Sequence, residues 1–343
     1  APPGRSRRGA PMGAGCSSDL LDPQPEQDAE RQAEDCLWFV TAAGGTQGAK
    51  YSSVCLGPDE RLYFCPYEAD HVAVFDVESK ELRYLSHPRL KAPKKYLGIC
   101  LGPDGRLYCA PAAASNVLVI NPKLGLVEDA LSFVGGLGDK EDKYSGICVT
   151  PGGMLCCCPF RSSDLLLIDP WTQSIGFLGG AGSGYGGLCT APNGLLYCVP
   201  FLASRILAID LDAPSGSELS FIDGEGQFGE GGYVSIAPGP NGKLYCAPWN
   251  ASQILVIDPT TKDPLCSFIS GAGDGERKYS GICAAADGKL YCSPFAASSV
   301  LVIHPVTQRL SFIDGMGAEV AKYRGICQGP SGGWLHCAPW DAD

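Results

Sequence analysis

The chain of 343 residues has only four histidines, and no apolar run in it reaches the roughly 18 residues that a membrane-spanning helix needs. Basic residues are also few: 26 lysines and arginines stand against 37 acidic residues, which gives a formal net charge of −11. This balance argues against nucleic acid and against anionic membrane surfaces, because both need a basic protein surface. We therefore expect a soluble, acidic chain with no transmembrane segment and no nucleic-acid partner.

Motifs of common catalytic centres are missing as well. The chain has no phosphate-binding loop, no His-x-x-x-His spacing and no Ser-His-Asp order. His304 and His336 replace an aspartate and a tyrosine of the repeat described below, so we interpret both as structural. Only His71 is well placed for chemistry. The sequence therefore predicts no catalytic residue, no metal ligand and no cofactor.

Seven copies of one repeat make up most of the chain. Each copy opens on a tyrosine, and these are Tyr51, Tyr96, Tyr144, Tyr185, Tyr233, Tyr279 and Tyr323. A period near 45 residues with strand-like content is typical of β-propeller blades. We predict an all-β fold, a seven-bladed β-propeller of four-stranded antiparallel blades, formed by residues 36–343. Residues 1–35 are predicted to be a mostly irregular N-terminal arm.

Each copy contains four candidate strands. The first ends in Ile-Cys, as in Ile99-Cys100, and is followed by a hairpin turn such as Asp104-Gly105, whose residues tolerate a positive φ. The second reads Leu-Tyr-Cys-x-Pro. The third is a continuous apolar run, as at residues 254–258, which predicts burial on both faces. The fourth is a short Leu-x-Phe motif, as at residues 131–133.

The seventh copy ends after two strands. Residues 37–39 match the Leu-x-Phe motif and precede the first tyrosine, so we expect this N-terminal strand to pair with the C-terminal blade and close the ring. The third strand of that blade has two candidate sources. Residues 17–23 resemble a shortened copy of residues 162–170, and the alternative is a natural chain that continues past Asp343.

The repeat resembles the YVTN, NHL and gluconolactonase-like groups of propeller repeats. It shares with them a Pro-Asp-Gly-x-Leu-Tyr hairpin, as at residues 103–108, and a Val-Ile-Asp-Pro third strand, as at residues 256–259. These motifs are architectural, so the resemblance implies the fold and no particular activity. Gluconolactonases and streptogramin lyases place acidic, Asn or His ligands around the channel mouth. Asp70, His71, Asp164 and Asn250 lie on candidate loops, but no motif matches and no residue role is carried over.

The 18 cysteines are spaced regularly around the hairpins. With a two-residue turn, directly opposed pairs are expected at Cys100–Cys109, Cys148–Cys157, Cys189–Cys198 and Cys283–Cys292. Disulfides are stereochemically possible at such positions. The alternative is that free cysteines serve as small buried apolar residues. We favour free thiols, because Phe64 and Ala237 replace cysteine in two copies.

A binding surface is expected on one face of the propeller, where lysines precede the repeated tyrosines and aromatic residues follow the repeated prolines. Such a ring of cations and aromatics suits an anionic ligand, a planar ligand or a peptide. A functional site should also be sought where the blades differ. The candidate rim for a ligand or partner is Asp70, His71, Arg161, Asp164, Arg205, Trp249, Asn250, Gln253, Arg324 and Trp340.

The function that these patterns favour is a non-enzymatic interaction propeller, a scaffold or peripheral subunit of a larger assembly with protein partners. One alternative is a metal-assisted hydrolase or lyase of the gluconolactonase or streptogramin-lyase kind. The other is a small-molecule or glycan binder at the channel mouth. An intracellular or organellar location is favoured over secretion, because no apolar signal-peptide core is present. Residues 1–18 resemble the tail of a transit peptide, and the alternative is a flexible arm with no targeting role.

Overall fold

The computed structural model describes residues 48–224, 228–261 and 264–342. Six antiparallel sheets there have four strands each, and the strands of a sheet follow one another in chain order. Blade one consists of β1 (Tyr51–Leu56), β2 (Arg61–Pro66), β3 (His71–Asp76) and β4 (Glu81–Ser86), and blade two of β5 (Tyr96–Leu101), β6 (Leu107–Pro111), β7 (Asn116–Ile120) and β8 (Leu131–Gly135). Blade three consists of β9 (Tyr144–Val149), β10 (Leu155–Pro159), β11 (Leu165–Asp169) and β12 (Ser174–Leu178), and blade four of β13 (Tyr185–Thr190), β14 (Leu196–Pro200), β15 (Arg205–Ile209) and β16 (Leu219–Asp223). Blade five consists of β17 (Tyr233–Pro238), β18 (Leu244–Pro248), β19 (Gln253–Asp258) and β20 (Leu265–Ser270), and blade six of β21 (Tyr279–Ala284), β22 (Leu290–Pro294), β23 (Val300–His304) and β24 (Arg309–Ile313).

The seventh sheet is a pair of strands, β25 (Tyr323–Gln328) and β26 (Leu335–Pro339). The all-β propeller of four-stranded antiparallel blades is confirmed, but the count of seven complete blades is wrong for the described residues: six are complete and the seventh is partial. β25 packs between β21 and β1, so the first strands of all seven sheets form a closed ring. The predicted closing strands at residues 17–23 and 37–39 lie outside the described residues.

The helices of the described residues are four short 3-10 turns: η1 (Pro88–Lys91), η2 (Pro122–Leu124), η3 (Glu128–Ala130) and η4 (Pro330–Gly332). None of them is long and apolar enough to cross a membrane.

The core lies between neighbouring blades. The second and third strands carry it, and Leu107, Cys109 and Leu118 of blade two are completely buried. Tyr108 and Val119, which point to the other face of the same sheet, are buried against blade three. The continuous apolar runs of the third strands are thus buried on both faces, as the sequence predicts.

The first strands approach one another closely at their third residues. A Cβ added to Gly281 would lie 2.8 Å from the Cα of Gly325, and one added to Gly98 would lie 3.1 Å from the Cα of Gly146. A side chain added at these glycines would press neighbouring first strands apart. Five of the seven copies accordingly have glycine at this position, and Ser53 and Ser235 hold it in blades one and five.

The first hairpins of the six complete blades have three-residue loops instead of the expected two-residue turns. The N–H of Gly102 donates to the carbonyl of Arg106 at 2.7 Å, and Gly105 closes the loop with a φ of +80°. The extra residue shifts the register by one, so Cys100 lies opposite Tyr108, and Cys109 points to the other face. The predicted opposition is wrong for all four cysteine pairs. Each of the 16 described cysteines is a free thiol.

Candidate functional site

One face of the propeller, which we call the mouth face, carries the starts of the first and third strands and the ends of the second strands. A circle of backbone hydrogen bonds on this face joins all seven sheets. The residue after the repeated proline donates to the residue before the repeated tyrosine, as Tyr67 does to Lys50 at 3.0 Å. Its own carbonyl accepts from the next sheet, as Tyr67 accepts from Lys95 at 3.1 Å. In blade five, the N–H of Gly231 donates to the carbonyl of Phe201, and the carbonyl of Gly232 accepts from the N–H of Trp249.

The lysines before the repeated tyrosines are buried within this circle. Lys95 is 1% exposed, and its Nζ donates to the carbonyls of Tyr67 and Ala92 at 3.0 and 2.6 Å. The Nζ atoms of Lys143 and Lys278 each donate at 2.7 Å to the carbonyl three residues earlier. Burial lowers the pKa of Lys95 to about 8. These lysines hold the entry loops together, so the expected ring of cations does not face a ligand.

The aromatic residues after the repeated prolines form an incomplete ring on the mouth face, and we refer to the area inside this ring as the mouth. We call this set the aromatic collar, and its members are Tyr67, Phe160, Phe201, Trp249, Phe295 and Trp340. The ring centroids of adjacent members are 4.8 to 6.3 Å apart, the range of favourable aromatic pairs. The collar is interrupted in blade two by Ala112. All its members except Phe295 are half-buried, so they offer ring surface to solvent.

Arg324, the second residue of β25, lies beside the collar. Its guanidinium carbon is 4.6 Å from the ring centre of Trp340. No hydrogen bond or ion pair joins this guanidinium to another residue of the described chain. Burial lowers the pKa of Arg324, while Tyr67 and Asp142 act in the opposite direction. The side chain is half-buried, which keeps it within reach of a ligand.

His71 is held in a short chain of hydrogen bonds. Its Nδ1 is 2.7 Å from Asp70 Oδ1, and its Nε2 is 2.7 Å from the hydroxyl of Tyr51. In blade two the equivalent residue, Asn116, accepts a hydrogen bond of 2.6 Å from the hydroxyl of Tyr96. In blades one and two the first residue of the third strand therefore provides a partner for a buried tyrosine hydroxyl, and this structural task accounts for the geometry of His71.

The other predicted rim residues contact neighbours in their own blade or in the next one. Arg161 Nε is 3.2 Å from Asp142, and the guanidinium of Arg205 is 4.4 Å from the ring centre of Phe221. Asp164 Oδ1 accepts a hydrogen bond from Ser163 at 3.2 Å, and Asn250 Oδ1 accepts one from the N–H of Arg277 at 2.9 Å. Gln253 donates a hydrogen bond to Ser270 at 2.8 Å. These contacts describe where the residues lie and leave their roles toward a partner as predictions.

The structure gathers three of the ten predicted rim residues at one place, namely Trp249, Arg324 and Trp340. The remaining collar aromatics belong to the same surface but were not part of the predicted rim, because their repetition favoured a purely structural role. The signal that identifies them is an aromatic residue directly after six of the seven repeated prolines. No group of three or more His, Cys, Asp or Glu side chains in the described ranges is placed to hold a metal ion.

Several solved structures share this architecture. A streptogramin B lyase structure is 14% identical, with 85% of this chain and 91% of that chain covered and a TM-score of 0.70. A catalytically inactive variant of virginiamycin B lyase from Staphylococcus aureus, solved with quinupristin, is 14% identical, with 88% and 95% covered and a TM-score of 0.71. The chain is a β-propeller similar in fold to streptogramin B lyase.

Other propellers match about as well. Kuenenia stuttgartiensis hydrazine synthase is 13% identical, with 89% of this chain and 96% of that chain covered and a TM-score of 0.63. No protein-family model matches the chain, and no curated protein sequence matches it. At such low identities the likeness establishes the fold alone, because propellers support many unrelated functions.

Proposed function

We propose that this protein is a non-enzymatic interaction propeller, a peripheral subunit of a larger assembly, which binds a protein partner at the aromatic collar. The observation that carries the proposal is the gathering of six aromatic side chains and one unpaired arginine around one mouth. Tryptophan, tyrosine and arginine are the residue types that dominate the energy of protein interfaces.

The groups on this face that are best suited to chemistry have structural partners instead. His71 lies between Asp70 and the hydroxyl of Tyr51, and the ammonium group of Lys95 donates to two carbonyls. The collar rings pack against one another at fixed distances, so little side-chain entropy is lost when a partner covers them. Rigid, half-buried aromatic surface favours recognition over catalysis.

The experiment compares the partners of three versions of the full-length protein after gentle extraction: wild type, Trp249→Ala and Trp334→Ala. Trp334 is 53% exposed and lies in the loop between β25 and β26, on the face opposite the collar, so it provides a matched control. We expect a discrete complex with wild type and Trp334→Ala, and its loss with Trp249→Ala. A wild-type protein that elutes alone, or a complex that survives Trp249→Ala, would contradict the proposal.

A metal-assisted lyase is the second candidate, and the fold similarity to streptogramin B lyase favours it. The test uses His71, whose Nδ1 is 2.7 Å from Asp70 Oδ1 on the mouth face. Titration of the wild-type protein with Mg²⁺ or Mn²⁺ tests this function directly. Stoichiometric binding that is lost in His71→Ala and kept in His87→Ala would favour the lyase, and no binding would remove it.

A further inference from the structure

Arg324 is the feature of the mouth that the six other sheets lack. The equivalent residues are Ser52, Leu97, Ser145, Gly186, Val234 and Ser280. The three serines each donate to the carbonyl of the next sheet's repeated tyrosine, at 2.7 to 2.8 Å. Arg324 makes no such bond in the described structure. Its presence is therefore not explained by the packing of the repeat.

The guanidinium of Arg324 lies over the ring of Trp340, with its carbon 4.6 Å from the ring centre, which is a favourable cation–π distance. Its N–H donors have no partner among the described residues. Because the side chain is half-buried, these donors lose part of their hydration without gaining a protein partner. A planar fork of this kind matches the two oxygens of a carboxylate.

Two acidic side chains near the mouth face are paired with other cations, and no ion pair joins a carboxylate of the described residues to Arg324. Asp142 binds Arg161 at 3.2 Å, and Glu141 binds Lys94 at 3.6 Å. Neither carboxylate contacts Arg324. The positive charge of Arg324 therefore remains available to an incoming anion, although the chain as a whole is acidic.

We infer that the mouth recognises a carboxylate carried by an apolar or aromatic group. The inference rests on the proposed function, because it takes the collar as the binding surface. The carboxylate lies on the free edge of Arg324, and the attached group packs against Trp340 and Tyr67, whose ring centroids are 4.8 Å apart. Two sources have this chemistry: a carboxylate of a protein partner, at its C-terminus or on an acidic side chain beside an aromatic residue, and a free organic acid.

The test uses benzoate and its neutral analogue benzamide as probes. The Nε–H signal of Arg324 in the NMR spectrum of the full-length protein is identified by its loss in Arg324→Gln. We expect added benzoate to shift this signal until the site is saturated. The affinity for benzamide should be lower by a factor of about ten or more, because only the carboxylate of benzoate can form a charge-assisted hydrogen bond with the guanidinium. Benzoate binding that is equal to benzamide binding, or that leaves the signal unmoved, would overturn the inference.

Two arginine variants show whether the effect belongs to Arg324. Arg89→Gln is the matched control, because Arg89 also stacks on an aromatic ring, that of Phe133, at 5.2 Å and is not part of the predicted rim. Benzoate affinity should fall about tenfold in Arg324→Gln and stay unchanged in Arg89→Gln. Arg324→Lys keeps the charge and should retain part of the affinity. Equal losses in Arg324→Gln and Arg89→Gln would overturn the inference.

Recovery of the partner separates this inference from the proposed function. A complex that Trp249→Ala abolishes, in a protein whose Arg324 signal benzoate does not move, would refute the carboxylate inference and leave the proposed function standing. Benzoate binding at Arg324 together with a complex that survives Trp249→Ala would refute the proposed function and leave the carboxylate inference standing. If benzoate, but not benzamide, displaces the partner, the partner supplies the carboxylate. If benzoate binds without displacing it, the ligand is a free acid.

Discussion

The backbone N–H of Lys50 donates a hydrogen bond of 2.9 Å to the carbonyl of Trp340. Lys50 precedes the first repeat and Trp340 follows the last strand, so this bond closes the circle on the mouth face. The partial blade that it secures is less covered than the others. Leu335 of β26 is half-buried, whereas its counterpart Leu107 in blade two is completely buried.

Residues 37–39 are predicted to supply the missing fourth strand of this blade. Leu37 stands 14 residues before Tyr51 (51 − 37), and Leu82 of β4 stands 14 residues before Tyr96 (96 − 82). A chain that lacks residues 1–40 should therefore lose about 3 kcal/mol or more of unfolding free energy, since apolar side chains of a blade would be uncovered. Urea denaturation measures this. A chain that lacks only residues 1–10 is the control, and equal stability of the two would refute the pairing.

Gly281→Ala is expected to destabilise the propeller. The new Cβ would lie 2.8 Å from the Cα of Gly325, so two first strands must move apart, at a cost of about 1–3 kcal/mol. Gly152→Ala is the matched control, because nothing lies within 4 Å of a Cβ there. Its effect should stay within about 0.5 kcal/mol. Thermal unfolding of both variants would decide, and similar stabilities would show that the close approach is not needed.

Lys95→Ala should lower the free energy of unfolding by about 2–4 kcal/mol, which is large for a lysine substitution. The reason is that it leaves a cavity and two carbonyls without their donor. Lys91, which is exposed at the end of η1, provides the comparison, and Lys91→Ala should have almost no effect. The free energies of unfolding in urea compare the two variants. A Lys95→Ala protein as stable as wild type would mean that the ammonium does not hold the entry loop.

Stability should fall at alkaline pH. Burial raises the pKa of Cys55 and Cys148 to about 12 and that of Cys157 well above its ordinary value, near 8.5 to 9 in an unfolded chain. Below the unfolded-state pKa, both the folded and the unfolded protein keep the thiol proton. Above the unfolded-state pKa, only the unfolded protein loses the proton. Each such thiol therefore lowers the unfolding free energy by about 1.4 kcal/mol per pH unit until the folded protein titrates too.

Lys95 acts in the opposite direction over part of this range. Its pKa is lowered to about 8, so between about pH 8 and 10.5 only the unfolded state keeps this proton, and stability rises. The more numerous buried thiols should outweigh it. Urea denaturation at about pH 7, 8, 9 and 10, with the thiols kept reduced, should show little change up to about pH 8 and a steep decrease above 9. Equal or greater stability at the highest pH would contradict the assignment.

The sequence predicted the blades well because their signals are local. The apolar runs of the third strands and the tyrosines that open the first strands appear at the same places in the structure. The hairpin register was missed by one residue, since Asp104-Gly105 suits both a two-residue turn and a three-residue loop. That single residue decided whether Cys100 and Cys109 face each other.

The sequence by itself thus determined the repeat, the strand pattern, the buried faces and the aromatic residue after six of the seven repeated prolines, because each depends on residues close together in the chain. Only the tertiary structure decided which side chains remain available to a ligand. Lys95 donates to two carbonyls and Arg324 to none, although both are cations beside a repeated tyrosine. The difference arises from their surroundings: the entry loop folds back over the ammonium of Lys95, whereas the described structure puts only the ring of Trp340 against the guanidinium of Arg324.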